Sequence, residues 1–299
     1  MKFLGFLTLL VIILADYWFW SHFHPPIAKN IRQTLFEGIT YIREVRQTPR
    51  PIIIHFISVD LTKPNIRFLV TPGEVRDDGE IGARTTSQFL TEFKLQLAIN
   101  GNFFYPFHPL FSVDFWNAYP KKRGDPVYVV GLASSHGQVY SQTKKSFETL
   151  YISADNQARF QTSIGPLYHA ISGRELFIKQ GKIQGPFPKG AFNEKPYPRT
   201  ALALDKTAKT LMIFVVDGKL KNYSEGVTLM ELADIVQSYG ADMALNLDGG
   251  GSSTLVMEGP SKKMVLLNMP IHGRIQGKER LIGNHLGIYT NLRSMRSSP

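Results

Sequence analysis

One segment of the sequence, residues 246–254, places a carboxylate directly before three glycines and two serines. Apolar runs flank it at residues 243–245 and 254–257. Short apolar runs interrupted by glycine are typical of buried strands joined by a tight connection. Glycine tolerates positive φ and lets a ligand approach bare backbone. The pattern therefore predicts two buried strands joined by a loop that cradles a phosphate or a sugar.

Short strands are expected along most of the chain. Two capping boxes, Thr85 with Gln88 and Thr228 with Glu231, begin two helices, and capping is a sufficient explanation for Glu231. Many strands joined by turns, with few helices, predict an α+β fold: mixed or antiparallel β-sheets with a few packed helices in a single globular domain. The further strands are predicted at residues 52–59, 66–70, 95–100, 127–132, 150–153, 176–178, 201–204, 211–216 and 286–289.

The N-terminus predicts targeting to a membrane. Lys2 precedes an apolar run that ends in aromatic residues, so residues 1–22 are expected to be a signal anchor or signal peptide. The residues before Asp16 make a poor cleavage site, which favours an uncleaved anchor with the globular domain outside the cytoplasm; cleavage would give a periplasmic or secreted protein. Residues 23–50 are expected to form a linker and a short helix at 31–41, residues 51–292 the globular domain, and residues 293–299 a basic tail.

Composition excludes several classes of function. The 299 residues include no cysteine, which excludes disulfides, zinc–thiolate sites and thiol catalysis. A net charge of +10 favours anionic partners such as phosphorylated glycans, lipid surfaces or nucleic acid. The charges are scattered, however, and no nucleic-acid module is recognisable, so no nucleic-acid partner is predicted.

Several side chains are candidates for chemistry. Asp217 and Asp248 each end an apolar strand and precede glycine, which places two carboxylates at strand ends where a sheet typically opens onto a crevice; the alternative is that Asp-Gly only makes a turn. Arg199 is suited to bidentate binding of a phosphodiester, or else to a structural ion pair. Asn100 and Asn102 are suited to hydrogen bonds with sugar hydroxyls, or to holding the turn at the glycine between them.

The glycine-rich segment fits neither of two common catalytic motifs. It lacks the Gly-Lys-Ser/Thr of a nucleotide P-loop, and Ser252 lacks the Gly-x-Ser-x-Gly elbow of a serine hydrolase. The serines are better suited to donating hydrogen bonds to a phosphate or sugar. Asp217, Asn246 and Asp248 offer oxygen ligands, but no metal or other cofactor is predicted to be required, and a structural calcium ion is left as an alternative.

Separated segments, in the expected order, resemble the phosphodiester glycosidase family: residues 98–104, 198–204, 215–218, 226–233 and 244–253. The resemblance covers about residues 85–290 and departs from the family pattern at Arg174 and Glu175. It implies hydrolysis of the bond between a sugar C1 and the oxygen of a phosphodiester, without defining the substrate. Our expectation for the substrate is a sugar-1-phosphodiester in a glycan or cell-envelope polymer. The alternative is a non-catalytic carbohydrate-binding protein of exopolysaccharide or envelope assembly.

The resemblance also implies roles for individual residues. Asp248, Asp217 and Arg199 are expected to be catalytic, with the assignment of acid, base or nucleophile left open. The residues expected to bind substrate are Asn100, Asn102, Thr200, Asn246, Gly249, Gly250, Gly251, Ser252, Ser253 and Arg280.

Overall fold

The computed structural model describes residues 28–74, 76, 80–106 and 119–290. The predicted anchor at residues 1–22 and the basic tail at 293–299 lie outside these ranges, and both stay predictions. Within the described ranges, no helix has both the length and the apolar character needed to cross a membrane.

The described residues form a protein built mainly of strands. Its helices are α1 Thr86–Glu92, α2 Ala191–Glu194 and α3 Leu229–Ser238. The strands are β1 Ile31–Phe36, β2 Ile39–Arg46, β3 Ile52–Asp60, β4 Arg67–Val70, β5 Ile81–Gly82, β6 Leu97–Asn100, β7 Phe104–Pro106, β8 Pro126–Val129, β9 Ala133–Ser135, β10 Gln138–Ser141, β11 Glu148–Ile152, β12 Ala158–Phe160, β13 His169–Gly173, β14 Leu176–Lys179, β15 Lys182–Ile183, β16 Arg199–Asp205, β17 Thr210–Val216, β18 Ala241–Asn246, β19 Leu255–Glu258, β20 Met264–Leu266 and β21 His285–Tyr289.

The strands form four antiparallel sheets. The largest has the order β1-β2-β3-β17-β16-β18-β14-β15. Two five-stranded sheets have the orders β20-β19-β6-β21-β4 and β10-β9-β13-β11-β12, and a small sheet has the order β5-β8-β7. With few helices and predominantly antiparallel pairing, the structure confirms the predicted α+β fold.

The large sheet is covered on both faces, and the sequence of β17 shows why. Leu211 and Ile213 belong to the core that the large sheet shares with the five-stranded sheets, whereas Met212 and Phe214 belong to the core beneath α3. Side chains alternate between the faces of a strand, so a strand apolar at every position is buried on both sides. The β16–β17–β18 region is therefore the rigid centre that positions the adjoining loops.

Both predicted helices are present with the predicted caps. The Thr85 hydroxyl accepts from the Gln88 amide and the Thr228 hydroxyl from the Glu231 amide, each with the reciprocal side-chain bond. The Glu231 carboxylate also pairs with Arg50. Glu231 therefore caps α3, as predicted, and in addition forms an ion pair that the sequence did not indicate.

The short helix predicted at residues 31–41 is wrong. These residues form the hairpin β1–β2, which turns at Gly38 with φ +78°. Ile39 and Tyr41 are buried on one face of β2, which pairs along its whole length with β3. Pairing with the central sheet therefore overrides a weak local preference for helix.

Candidate active site

The glycine-rich loop joins two different sheets. Strand β18 of the large sheet ends at Asn246 and β19 of a five-stranded sheet begins at Leu255, as the flanking apolar runs predicted. Gly250 has φ +63° and donates its amide to the Pro198 carbonyl over 2.8 Å. A Cβ on Gly249 would lie 2.8 Å from the same carbonyl oxygen. The loop therefore needs glycine for its close approach to the chain before β16.

Asn100 holds the loop from below. Its Nδ2 donates to the Asp248 carbonyl over 2.6 Å, and its Oδ1 accepts from Thr200 Oγ1 at 2.8 Å and from the Thr254 amide at 3.2 Å. Asn100 and Thr200 are fully buried. Their polar groups thus form hydrogen bonds within the protein, and in this geometry they do not point at a sugar as predicted.

Asn102 and Asn246 are likewise buried and partnered within the protein. Asn102 Oδ1 accepts from the Ser172 amide at 2.9 Å, and its Nδ2 donates to the Val130 carbonyl at 3.1 Å. Asn246 Nδ2 donates to Glu175 Oε2 at 2.9 Å. Glu175, one of the residues at which the sequence departs from the family pattern, therefore contacts the strand that leads into the loop. Both asparagines position backbone around the site without facing the cleft described next.

Asp248 lines a cleft of about 340 Å³ above the glycine-rich loop. Among the described residues that line this cleft, Asp248 supplies the carboxylate, and its Oδ1 accepts from the Gly249 amide at 2.9 Å. Burial raises the pKa of Asp248, while a hydrogen bond from Ser252 and the charge of Arg280 act in the opposite direction. The cleft thus contains one partly desolvated carboxylate beside a cation.

Two cations line the same cleft as this carboxylate. Arg280 Nη1 donates to Ser252 Oγ at 3.1 Å, and its guanidinium carbon lies 4.0 Å from the centre of the Tyr119 ring. Lys219 Nζ lies 4.5 Å from the centre of the Tyr197 ring, and burial, followed by the charges of nearby arginines, lowers its pKa. The sequence indicated Arg280 but not Lys219. The available signal for Lys219 was its position directly after an Asp-Gly turn at a strand end.

Arg199 lies at the wall of the same cleft, but its donors point inward. Nε donates to the Val227 carbonyl at 2.8 Å and Nη2 to the Phe192 carbonyl at 2.7 Å. Burial lowers the pKa of Arg199 to about 10. The predicted bidentate grip on a phosphodiester is therefore not available through these two donors, and the structure uses the guanidinium to fix the approach to β16.

Asp217 does not share the cleft with Asp248. Its side chain is fully buried, and Oδ2 lies 3.0 Å from His55 Nε2. Oδ1 accepts from Asn268 Nδ2 at 3.1 Å and from the Met269 amide at 2.9 Å. The predicted pair of carboxylates in one cleft is thus not observed, because the strand end turns this side chain into the interior.

Aromatic side chains form the walls of the cleft. Phe103 and Phe104 line it, and Phe104 also packs against the small core around Val127 and Val129. Phe192 and Tyr197, which sequence analysis did not single out, also line it. Both residues lie just before Pro198 and Arg199 in the sequence, and this proximity to a predicted site segment could have identified them.

The remaining predicted groups are the serines and the metal ligands. Ser252 contacts both Asp248 and Arg280, whereas the buried Ser253 Oγ has no hydrogen-bond partner in the described structure. Within the described ranges, no three His, Asp or Glu side chains cluster in a way that would hold a metal ion. The structural calcium ion stays an untested alternative.

Comparison with known proteins identifies the fold and the family. No curated protein matches the chain. The structure is similar to the zebrafish N-acetylglucosamine-1-phosphodiester alpha-N-acetylglucosaminidase catalytic domain auto-inhibited by its pro-peptide, with 19% identity and a TM-score of 0.57, over 89% of this chain and 85% of that one. It is also similar to a hypothetical protein from Synechocystis, with 14% identity and a TM-score of 0.52, over 88% of this chain and 64% of that one.

These identities show a shared fold, and the second comparison spans less than two thirds of the Synechocystis chain. Family membership rests on a separate finding. Residues 93–289, more than half of the chain, match the model of one family and include Asp248, Lys219 and Arg280. The chain belongs to the phosphodiester glycosidase family.

Proposed function

We propose that the protein hydrolyses a sugar-1-phosphodiester between the sugar C1 and the ester oxygen, in a glycan or cell-envelope polymer. The observation that carries the proposal is a cleft lined by Asp248, Lys219 and Arg280 together with the backbone of three glycines. A carboxylate suits the reacting carbon, and paired cations suit the phosphate that leaves it. Family membership supports the same general kind of reaction.

A single carboxylate is sufficient for this leaving group. The oxygen that departs from C1 belongs to a phosphate monoester, whose second pKa is about 6, so it can leave as an anion without a general acid. Lys219 and Arg280 stabilise the charge that develops on it. The buried Asp217 therefore need not be a second catalytic acid.

Asp248 then acts at C1, as a base toward water or as a nucleophile. The C1–O bond breaks with its electron pair going to the phosphate, an oxygen from water ends on C1, and the water proton passes to Asp248 or solvent. A base is most effective when its pKa lies near the working pH, and burial shifts the pKa of Asp248 in that direction. The aromatic wall at Phe192 and Tyr197 offers a stacking surface for the sugar ring.

The test uses methyl and p-nitrophenyl diesters of sugar 1-phosphates in ¹⁸O-labelled water. We expect the label on the sugar C1 hydroxyl, since the C1–O bond breaks. Asp248→Asn is expected to lower kcat by about 10³-fold. Asp242→Asn, the same change at the other end of β18, is the matched control and is expected to keep wild-type kcat.

Two results would contradict the proposal. Label appearing in the phosphate would show attack at phosphorus, as in a phosphodiesterase. Glycan binding without turnover of any diester, unchanged by Asp248→Asn, would instead support the non-catalytic carbohydrate-binding alternative.

We further propose that the enzyme acts outside the cytoplasm and is held at the membrane by residues 1–22. The apolar run after Lys2 supports this location. Mass spectrometry of the membrane fraction is expected to find the intact N-terminus. A mature protein that begins after Ala15 or Trp20 would instead indicate a cleaved signal peptide.

A further inference from the structure

A second, wider groove opens beside the Asp248 cleft and is continuous with it. The groove has a volume of about 760 Å³ and shares Tyr119, Lys219, Gly251 and Arg280 with the cleft. We call it the cationic groove, because its further basic side chains are Lys121, His272, Arg274 and Lys278.

The charges of the cationic groove are not neutralised within the described part of the protein. Within those described residues, no carboxylate lies within 4.0 Å of Lys219, Arg274, Lys278 or Arg280. Other lysines and arginines of the protein do form ion pairs within this distance. Glu279 also lines the groove, but its Oε1 accepts from the Ser87 amide at the start of α1 at 3.0 Å. The groove thus has a net positive charge.

The cations of the groove also affect one another. Burial, then the charges of Arg280 and Lys278, lowers the pKa of His272 to about 4, so its ring is neutral near pH 7. His272 Nδ1 lies 3.2 Å from Arg280 Nε and can accept its hydrogen bond. After burial, the charges of Arg280 and Arg274 lower the pKa of Lys219, so these cations repel one another and an anionic ligand would relieve that repulsion.

Resting on the function proposed above, we infer that the cationic groove binds a second phosphate of the leaving group. The substrate class is then a polyanionic phosphodiester chain with a sugar at one end, not an isolated diester. Arg280 lies at the junction, where it can contact the scissile phosphate, while Arg274 and Lys278 lie farther along and are exposed. Exposed cations on flexible side chains can follow the phosphates of a hydrated chain, whose positions vary.

A nucleic acid is a poorer fit to the same charges. Proteins that bind single-stranded nucleic acid stack bases on free aromatic faces. The aromatic side chain described in this groove besides His272 is Tyr119, and one face of its ring is covered by Arg280. The described residues of the groove therefore offer several cations but only one aromatic ring besides the His272 imidazole, which favours a phosphodiester chain that lacks bases.

The test compares two diesters of the same sugar 1-phosphate, one with a methyl leaving group and one with a short oligo(glycerol phosphate). For the wild type at low salt, kcat/KM is expected to be about 10-fold higher for the charged chain, and the preference is expected to fall as salt screens the groove. In the double variant Arg274→Gln/Lys278→Gln the preference is expected to fall to about 1. Lys262→Gln/Lys263→Gln removes the same charge from an exposed turn outside the groove and is expected to keep the preference.

Binding provides a second readout that does not depend on turnover. A fluorescent oligo(glycerol phosphate) is titrated into Asp248→Asn with and without the double substitution, and the double substitution is expected to weaken binding about 10-fold. Rapid hydrolysis of the methyl diester with no preference for the charged chain would overturn the inference and leave the proposed function standing. If no diester is hydrolysed while the labelled chain binds through Arg274 and Lys278, the groove stands and the proposed function falls. Tighter binding of oligothymidylate of equal charge would also overturn the inference.

Discussion

Replacing Asp217 by alanine should destabilise the fold severely. The carboxylate is fully buried and satisfies three groups: His55 Nε2 at 3.0 Å, Asn268 Nδ2 at 3.1 Å and the Met269 amide at 2.9 Å. Each buried polar group left without its partner costs about 1–3 kcal/mol, so the free energy of unfolding should fall by about 3–6 kcal/mol. For a domain of this size, at about 2–4 °C per kcal/mol, that corresponds to a fall in Tm of roughly 6–24 °C.

Asparagine at the same position should be tolerated much better. Its carbonyl oxygen can still accept from Asn268 and Met269, and its amide can donate to His55 Nε2 if the imidazole changes tautomer. His55 Nδ1 would then donate to Tyr41, whose hydroxyl lies 2.8 Å away and can accept. We expect Asp217→Asn to lose about 1–2 kcal/mol, mainly the charge-assisted part of these bonds.

Urea and thermal unfolding followed by circular dichroism measure both variants, and kcat is measured at a temperature where each is folded. Because Asp217 acts through backbone and side-chain hydrogen bonds, kcat of folded Asp217→Asn should stay within about 10-fold of the wild type. A variant with wild-type stability and a loss of about 10³-fold or more in kcat would refute this reasoning and return Asp217 to the catalytic residues.

The cleft itself supports two further predictions. Ser252→Ala removes a hydrogen bond that lowers the pKa of Asp248, so this pKa should rise and the acid limb of the kcat/KM profile should move to higher pH. Ser253→Ala is the matched control, because the Ser253 hydroxyl makes no hydrogen bond in the described structure, and an equal shift in both variants would contradict the assignment. Gly251→Ala places a Cβ 2.5 Å from Arg280 Nη2, so the flexible guanidinium must move; we expect KM to rise about 10-fold with little change in Tm, and an unchanged KM would argue against a role of Arg280 in binding phosphate.

The sequence predicted the centre of the fold better than its edges. The run Thr210–Val216 is apolar enough on both faces that burial in the middle of a sheet is nearly forced. Strand β1 is different, because its central residues are exposed and its apolar residues lie at the two ends. Strand β13 was missed for another reason: it contains His169, Ser172 and Gly173, and Ser172 tolerates burial because its hydroxyl lies 2.8 Å from Thr149 Oγ1.

For the site, the sequence identified the segments but not the direction of their side chains. Asp217 and Asp248 have the same local context, a carboxylate between an apolar strand and a glycine. Their difference comes from His55 and Asn268, distant in sequence, which bind the first carboxylate inside the protein. Lys219 directly follows the Asp217-Gly218 turn, but this position alone does not tell whether the lysine lines a cleft or faces solvent.

The crossing of the glycine-rich loop between two sheets has a consequence for the order in which the protein can fold. Strand β6, from which Asn100 holds Asp248, pairs with β21, the last strand that the structure describes. Strand β4 also depends on β21, because the two strands pair with Leu69 opposite Gly287. The floor of the cleft therefore cannot be completed until residues 285–289 have paired with strands roughly 200 residues earlier in the sequence, so activity reports on complete assembly of the fold.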